Sequence, residues 1–173
     1  MNIYKLTVLA LLATLAVVGR ALFVFLPNVQ PVTSLIIICG LMLGPISAIL
    51  LAILTTFLSN IMLGIGVWTV WQIVSWGLIG VISGFIGQIF SKIHFLTIVI
   101  YSIFSGYFYG FVISLTTYQV TGKFWPYYIA GLPFDTYHAI GNAAFIILLY
   151  QPIAYLFKNY AYNRFTIRHT SLY

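Results

Sequence analysis

Val32-Thr-Ser-Leu-Ile-Ile-Ile-Cys-Gly-Leu-Met-Leu43, then Gly44-Pro45, then Ile46-Ser-Ala-Ile-Leu-Leu-Ala-Ile-Leu-Thr-Thr-Phe-Leu-Ser-Asn-Ile-Met-Leu63, is one apolar tract with a single interruption and no charged residue. A helix that crosses a bilayer needs about 20 apolar residues. The second run is close to that length, and the first is cut short by Gly-Pro. A short, broken span is tolerated at membrane depth only where protein or a cavity shields its backbone. Outward from this tract lie four more apolar runs, Leu6–Leu26, Ile73–Phe90, Leu96–Tyr118 and Phe134–Phe157. The pattern predicts an all-α membrane protein, a compact bundle of six transmembrane helices forming one domain over residues 1–173.

Composition agrees. The chain is 62% hydrophobic and 5% charged, against about 25% charged residues in soluble domains. The net charge of +6 comes with no basic stripe or RNA-binding motif, so nucleic acid is not an expected partner. The lipid bilayer is, and phospholipid head groups suit basic residues at segment ends. The first run reaches Leu26 without a small-x-small cleavage site, so it is read as a helix of the mature protein rather than a signal peptide. Cys39 stands alone in an apolar run and is read as a small buried hydrophobe.

The connections fall into two sets. Met1–Lys5, Gly44-Pro45, Ser91–His94 and the tail from Lys158 carry Lys5, Lys92, Lys158, Arg164 and Arg168; Pro27–Pro31, Gly64–Gln72 and Gln119–Pro133 carry only Lys123. This positive-inside bias predicts both termini on the cytoplasmic side. The outer connections mix Trp and Tyr with Asn, Gln and Thr. An aromatic belt accounts for the rings, but the neutral amides fit better as the placed polar groups of a ligand site.

Charges inside apolar segments are costly and tend to mark function. There are two, Arg20 and Asp135, the only acidic residue in the chain. Asp135, His138 and Asn142 share one stripe at i, i+3 and i+7. With Arg20 read about two turns below the outer end of its helix, the two charges meet at similar depth, either as a structural pair or as ligand contacts. One carboxylate excludes paired-carboxylate chemistry. His138 is outside while His94 and His169 are inside, so no metal cluster is expected. No Gly-x-Ser-x-Gly and no phosphate loop occurs. On the residues alone a Ser–His–Asp set using Asp135 and His138 stays open, though adjacency on one helix turn is poor triad geometry. A stand-alone proton-coupled carrier is weak with one carboxylate, whereas a binding subunit driven by a partner needs no such residues. Ala10 and Thr14, four apart with Ala13 and Ala16 nearby, offer a small surface for close helix approach. Gly77, Gly80, Gly84 and Gly87 are assigned to internal packing.

Three stretches carry a family likeness: Ala16-Val-Val-Gly-Arg20 with Leu26-Pro-Asn-Val-Gln-Pro-Val-Thr33; Ser59-Asn60 leading to Gly64-Ile-Gly-Val-Trp-Thr-Val-Trp-Gln-Ile-Val-Ser-Trp-Gly-Leu-Ile-Gly80; and Phe134-Asp-Thr-Tyr-His-Ala-Ile-Gly-Asn142. Over nearly its whole length the chain resembles the substrate-binding S-components of energy-coupling factor (ECF) vitamin transporters, most closely the subgroup linked to cobalamin uptake. The resemblance implies a multi-pass subunit of the bacterial plasma membrane. Such a subunit binds a vitamin from outside, docks on a transmembrane coupling subunit carried by two ATPases, and topples to release its cargo. ATP is used by those partners, and the chain itself binds no cofactor. Ala10, Ala13 and Thr14 would match the docking face, with Thr14 departing from the family's usual Ala-x-x-x-Ala. Asn28, Gln30, Thr33, Asn60, Gln72 and Asn142 would serve an amide-rich ligand, with Trp68, Trp71 and Trp76 as apolar walls and Arg20, Asp135 and His138 as polar contacts. The expected ligand is cobalamin. Pantothenate or a pyrimidine precursor is the alternative, and a ligand-free membrane scaffold is the rival from another class.

Overall fold

The computed structural model describes residues 3–90 and 92–161. Arg164, Arg168 and His169 lie outside the described residues. Six α-helices run in chain order: α1 Ile3–Leu22, α2 Val32–Leu43, α3 Pro45–Leu63, α4 Trp68–Ile89, α5 Phe95–Thr121 and α6 Trp125–Leu156, the last continuing into a π-helical turn at Phe157–Ala161. All but α2 are long and apolar enough to cross a membrane.

Helix α2 is the axis of the bundle. All twelve of its residues are buried, and it packs against α1, α3, α4, α5 and α6. At 1.5 Å per residue it is roughly 18 Å long, well short of the ~30 Å hydrocarbon layer. Enclosure by the other helices meets the shielding that its length demands, and it explains why the run is apolar on every face. The break after it is local. Gly44 has φ 88°, a region side chains avoid, and its N–H closes α2 onto the Gly40 carbonyl. Pro45 then opens α3 at a position where the missing N–H costs nothing.

Small residues let the axis be approached closely. On α4, a Cβ at Gly80 would meet Ala48, at Gly84 it would meet Pro45, and at Gly87 it would meet the Leu41 backbone. These three glycines pack internally as expected; Gly77 has no neighbour within 4 Å of that position. Cys39 is fully buried in the α2 core. Leucines, isoleucines and phenylalanines cover the outside, including Leu11, Phe57, Phe85, Phe104 and Leu148.

Several boundaries differ from the sequence reading. Helix α1 ends at Leu22 rather than Leu26, so Arg20 sits in its last turn rather than two turns down. Helix α4 starts at Trp68, not Ile73, which places Trp68, Trp71 and Gln72 in its first turns. Helix α6 starts at Trp125, nine residues before the expected Phe134, with Pro126 in the first turn and Pro133 inside. The neutral, aromatic-rich segments that read as loops are helical because the bundle supports them, a tertiary effect that outweighs local propensity.

Candidate functional site

At the end of the bundle where α1 and α3 finish and α4 begins, polar side chains from four helices join in one network. Arg20 Nη1 donates to Ser59 Oγ at 2.5 Å and to Asn60 Oδ1 at 2.9 Å. Asn60 Nδ2 donates to Gln72 Oε1 at 2.8 Å and to Thr69 Oγ1 at 2.9 Å. Gln72 Nε2 donates to the Tyr109 hydroxyl at 3.1 Å. The guanidinium also lies 5.4 Å above the Trp76 ring, a favourable cation–π placement. At the C-terminus of α1 its charge further complements the helix dipole. Each amide thus fixes the next, which is what buried polar groups require.

Above this network is a recess of about 170 Å³ lined by Arg20, Asn28, Gln30, Gln72 and Tyr109, with Phe23, Leu26, Val29 and Leu63 as apolar walls. The α1–α2 link forms one side of it. Asn28 holds a left-handed φ of 58°, which Asn tolerates better than most residues, and its Nδ2 donates to the Phe134 carbonyl at 3.3 Å. That bond ties the link to α6.

A second set of polar residues is sealed below. Trp76 Nε1 donates to Thr33 Oγ1 at 3.0 Å, and Thr33 Oγ1 lies 2.9 Å from His138 Nε2. The threonine accepts from the indole and keeps one hydrogen and one lone pair, so the imidazole tautomer decides whether it donates to or accepts from Nε2. The Tyr109 ring meets the His138 ring edge-on at 4.7 Å and the Trp76 ring at 5.0 Å. Asn142 Nδ2 donates to the Ser102 carbonyl at 3.2 Å, and the Asn142 carbonyl accepts from Ser34 Oγ at 3.0 Å. Thr33, Trp76, His138 and Asn142 are each 0% exposed.

The structure therefore divides the expected site residues. Arg20, Asn28, Gln30 and Gln72 line the recess, with Asn60 directly behind. Asp135, His138 and Asn142 do share one buried face of α6. Asp135 packs its carboxyl against Gly110 of α5, and among the described residues it forms no ion pair with Arg20, whose Nη1 faces Ser59 and Asn60. Trp71 donates from Nε1 to Gln119 Oε1 at 3.1 Å, tying α4 to the end of α5. Trp68 folds over Gly66 and is 43% exposed. Neither ring lines the recess. On α1, Ala10 and Thr14 face outward, with Thr14 Oγ1 donating to the Ala10 carbonyl, whereas Ala13 is buried and belongs to the core rather than to an outer face. No group of His, Cys and Asp residues suited to a metal occurs among the described residues.

Tyr109 is the recess residue that sequence reasoning missed. The signal was present as a stripe of small and polar residues on α5, Ser102, Ser105, Gly106, Tyr109 and Gly110, all buried.

A multi-pass helical bundle whose cross-linked polar groups converge on a recess at one end defines a membrane subunit that binds a solute. Residues 4–157 match the family model of the ECF transporter, substrate-specific component. The chain belongs to that family, and it is a transport subunit rather than an enzyme. No curated relative and no solved structure matches it.

Proposed function

We propose that this chain captures cobalamin on the outer side of the plasma membrane and delivers it to an ECF coupling subunit with its two ATPases, both termini lying inside. The observation that carries the reading is the continuous Arg20–Asn60–Gln72–Tyr109 network. It presents fixed donors and acceptors to a ligand rich in amides. The likeness of the Leu26–Thr33 and Gly64–Gly80 stretches to the cobalamin subgroup supports the same ligand. The positive-inside bias of the connections supports this orientation, those at one end carrying Lys5, Lys92 and Lys158 and those at the other Lys123. Ligand pockets commonly measure about 300–1,000 Å³, so a corrin enters only after the α1–α2 link and the segment at 64–67 swing outward.

Two observations favour a second reading. Arg20 has no carboxylate partner among the described residues, and the recess is small. Both features suit a compact vitamin with a free carboxylate, such as pantothenate. Calorimetric titration of the purified subunit with cobalamin and with pantothenate decides between them. Saturable one-to-one binding of cobalamin is expected; heat with pantothenate alone selects the second reading, and silence with both from folded protein favours the ligand-free scaffold. Docking is tested by Ala10→Trp, which is expected to block assembly with the coupling module while leaving vitamin binding intact.

A further inference from the structure

The network around Arg20 has a direction. A guanidinium only donates. Both bonds from Nη1 run to α3, to Ser59 Oγ and Asn60 Oδ1, so the Asn60 amide is turned with its oxygen to the arginine. Its Nδ2 then donates to Thr69 Oγ1 and Gln72 Oε1. This turns the Gln72 amide in the same sense, and Gln72 Nε2 donates to the Tyr109 hydroxyl oxygen. Two ends of the relay remain. Arg20 Nε and Nη2 and the hydroxyl hydrogen of Tyr109 have no acceptor among the described residues. Both residues line the recess. Both also stand against the Trp76 ring, the guanidinium carbon at 5.4 Å and the Tyr109 ring at 5.0 Å. Tyr109 is 6% exposed, and a polar group so deeply buried ordinarily has its partners. Among the described residues no acidic side chain lines the recess; Asp135, the only acidic residue of the sequence, packs against Gly110.

We propose that the recess is an anion subsite, in which Arg20 takes a carboxylate or phosphodiester group of the vitamin and the Tyr109 hydroxyl donates to the same ligand. The relay leaves donors at both ends, and a group that only accepts is their complement. A guanidinium fork suits the paired oxygens of either anion. Charge points the same way. A partly buried cation whose hydrogen-bond partners are all neutral has lost hydration without gaining a counter-charge, and a ligand anion supplies one. Gln72 acts as a positioning residue, because its carboxamide donates to Tyr109 and so leaves the phenol hydrogen free. The inference rests on the vitamin-binding reading and narrows it. Cobalamin carries a phosphodiester and pantothenate a carboxylate, so each has an anion for this place, whereas a neutral or cationic solute leaves the guanidinium without a counter-charge.

The test is a thermal-melt titration of the purified full chain with matched small probes: butyrate against butyramide, and dimethyl phosphate against trimethyl phosphate. At least one anion is expected to raise the melting temperature saturably, with its neutral counterpart weaker by about tenfold or more. A stronger response to dimethyl phosphate assigns the subsite to a phosphodiester, and a stronger response to butyrate assigns it to a carboxylate. Arg20→Gln is expected to erase the anion preference. So is Gln72→Glu, which keeps shape but accepts from both Asn60 and Tyr109 and sets a negative charge near Arg20; it serves as the test should the arginine variant fail to fold. Charged and neutral probes acting alike, or an anion preference that survives either variant in folded protein, overturns the proposal. Calorimetry on the same preparation separates its failure from that of the vitamin reading. Pantothenol binding as tightly as pantothenate, or cobinamide, which lacks the phosphodiester, as tightly as cobalamin, overturns the subsite and leaves the vitamin reading standing. A small-anion site lost in Arg20→Gln, with silence toward both vitamins, upholds the subsite and removes those two vitamins.

Discussion

Two sets of polar side chains sit in the same half of the bundle, and their fates differ. The upper set, Arg20, Asn60, Gln72 and Tyr109, is cross-linked and opens on the recess. The lower set, Thr33, Trp76, His138 and Asn142, is fully enclosed and bonds helix to helix. Residue type does not separate them, since each has an amide and a hydroxyl. What separates them is the α1–α2 link, which stands off the upper set and leaves a cavity, while α2 itself fills the space beside the lower one. A cavity thus reaches one polar set, while the other serves packing between helices.

The sharpest way to break this distinction is to remove the residue that holds the upper set together. Asn60→Leu leaves the Arg20 guanidinium and the Gln72 carbonyl without their shared partner. It should lower stability by ~2–4 kcal/mol and abolish ligand binding, read by thermal melting and titration on the same preparation. Binding that survives would move the site away from the recess.

Next comes the α5–α6 seam. A Cβ at Gly110 would lie 2.0 Å from the Asp135 carboxyl, so Gly110→Ala should cost ~1–3 kcal/mol by overpacking. Asp135→Ala in the same chain should restore most of that loss. Failure of the rescue would show that Asp135 has a role beyond filling the space beside Gly110.

For the lower set, Thr33→Val keeps shape but leaves the Trp76 indole and the His138 imidazole without their common partner. A loss of ~1–3 kcal/mol in stability is expected, with vitamin affinity unchanged in the folded protein. A fall in affinity would join the two sets into one site. The smallest effect belongs to Trp71→Ala. Its ring lies outside the recess and its one hydrogen bond, to Gln119, is exposed. Affinity should stay within the error of titration and stability should drop by less than ~1 kcal/mol.

Much of this was legible beforehand. The bounds of α2 follow from Gly44-Pro45 on one side and Pro31 on the other, and the lengths of six apolar runs anticipate six helices. Arg20, Asn60 and Gln72 stand out as polar residues within or beside apolar runs. Trp68 and Trp71 lie outside the lining of the recess, and the sequence does not separate the two purposes one residue type serves. Trp68 and Trp71 read as walls of a site because a tryptophan facing lipid and one facing a ligand have the same local context. Tyr109 was hidden among thirteen tyrosines, most of them suited to the interface. Whether Arg20 meets Asp135 depends on which helices are neighbours, and spacing along one chain does not carry that information.

Helix α2 has a consequence for biogenesis. A segment of roughly 18 Å cannot rest stably across a ~30 Å hydrocarbon layer by itself, and every one of its residues needs a protein neighbour. It cannot be integrated as an independent unit in the order of synthesis. It must enter together with α3 as a hairpin, or wait at the surface until α4 and α6 arrive to receive it. Truncations that end after Leu63 should therefore leave α2 accessible to protease or to cysteine-labelling reagents at Cys39, and the completed chain should close that access.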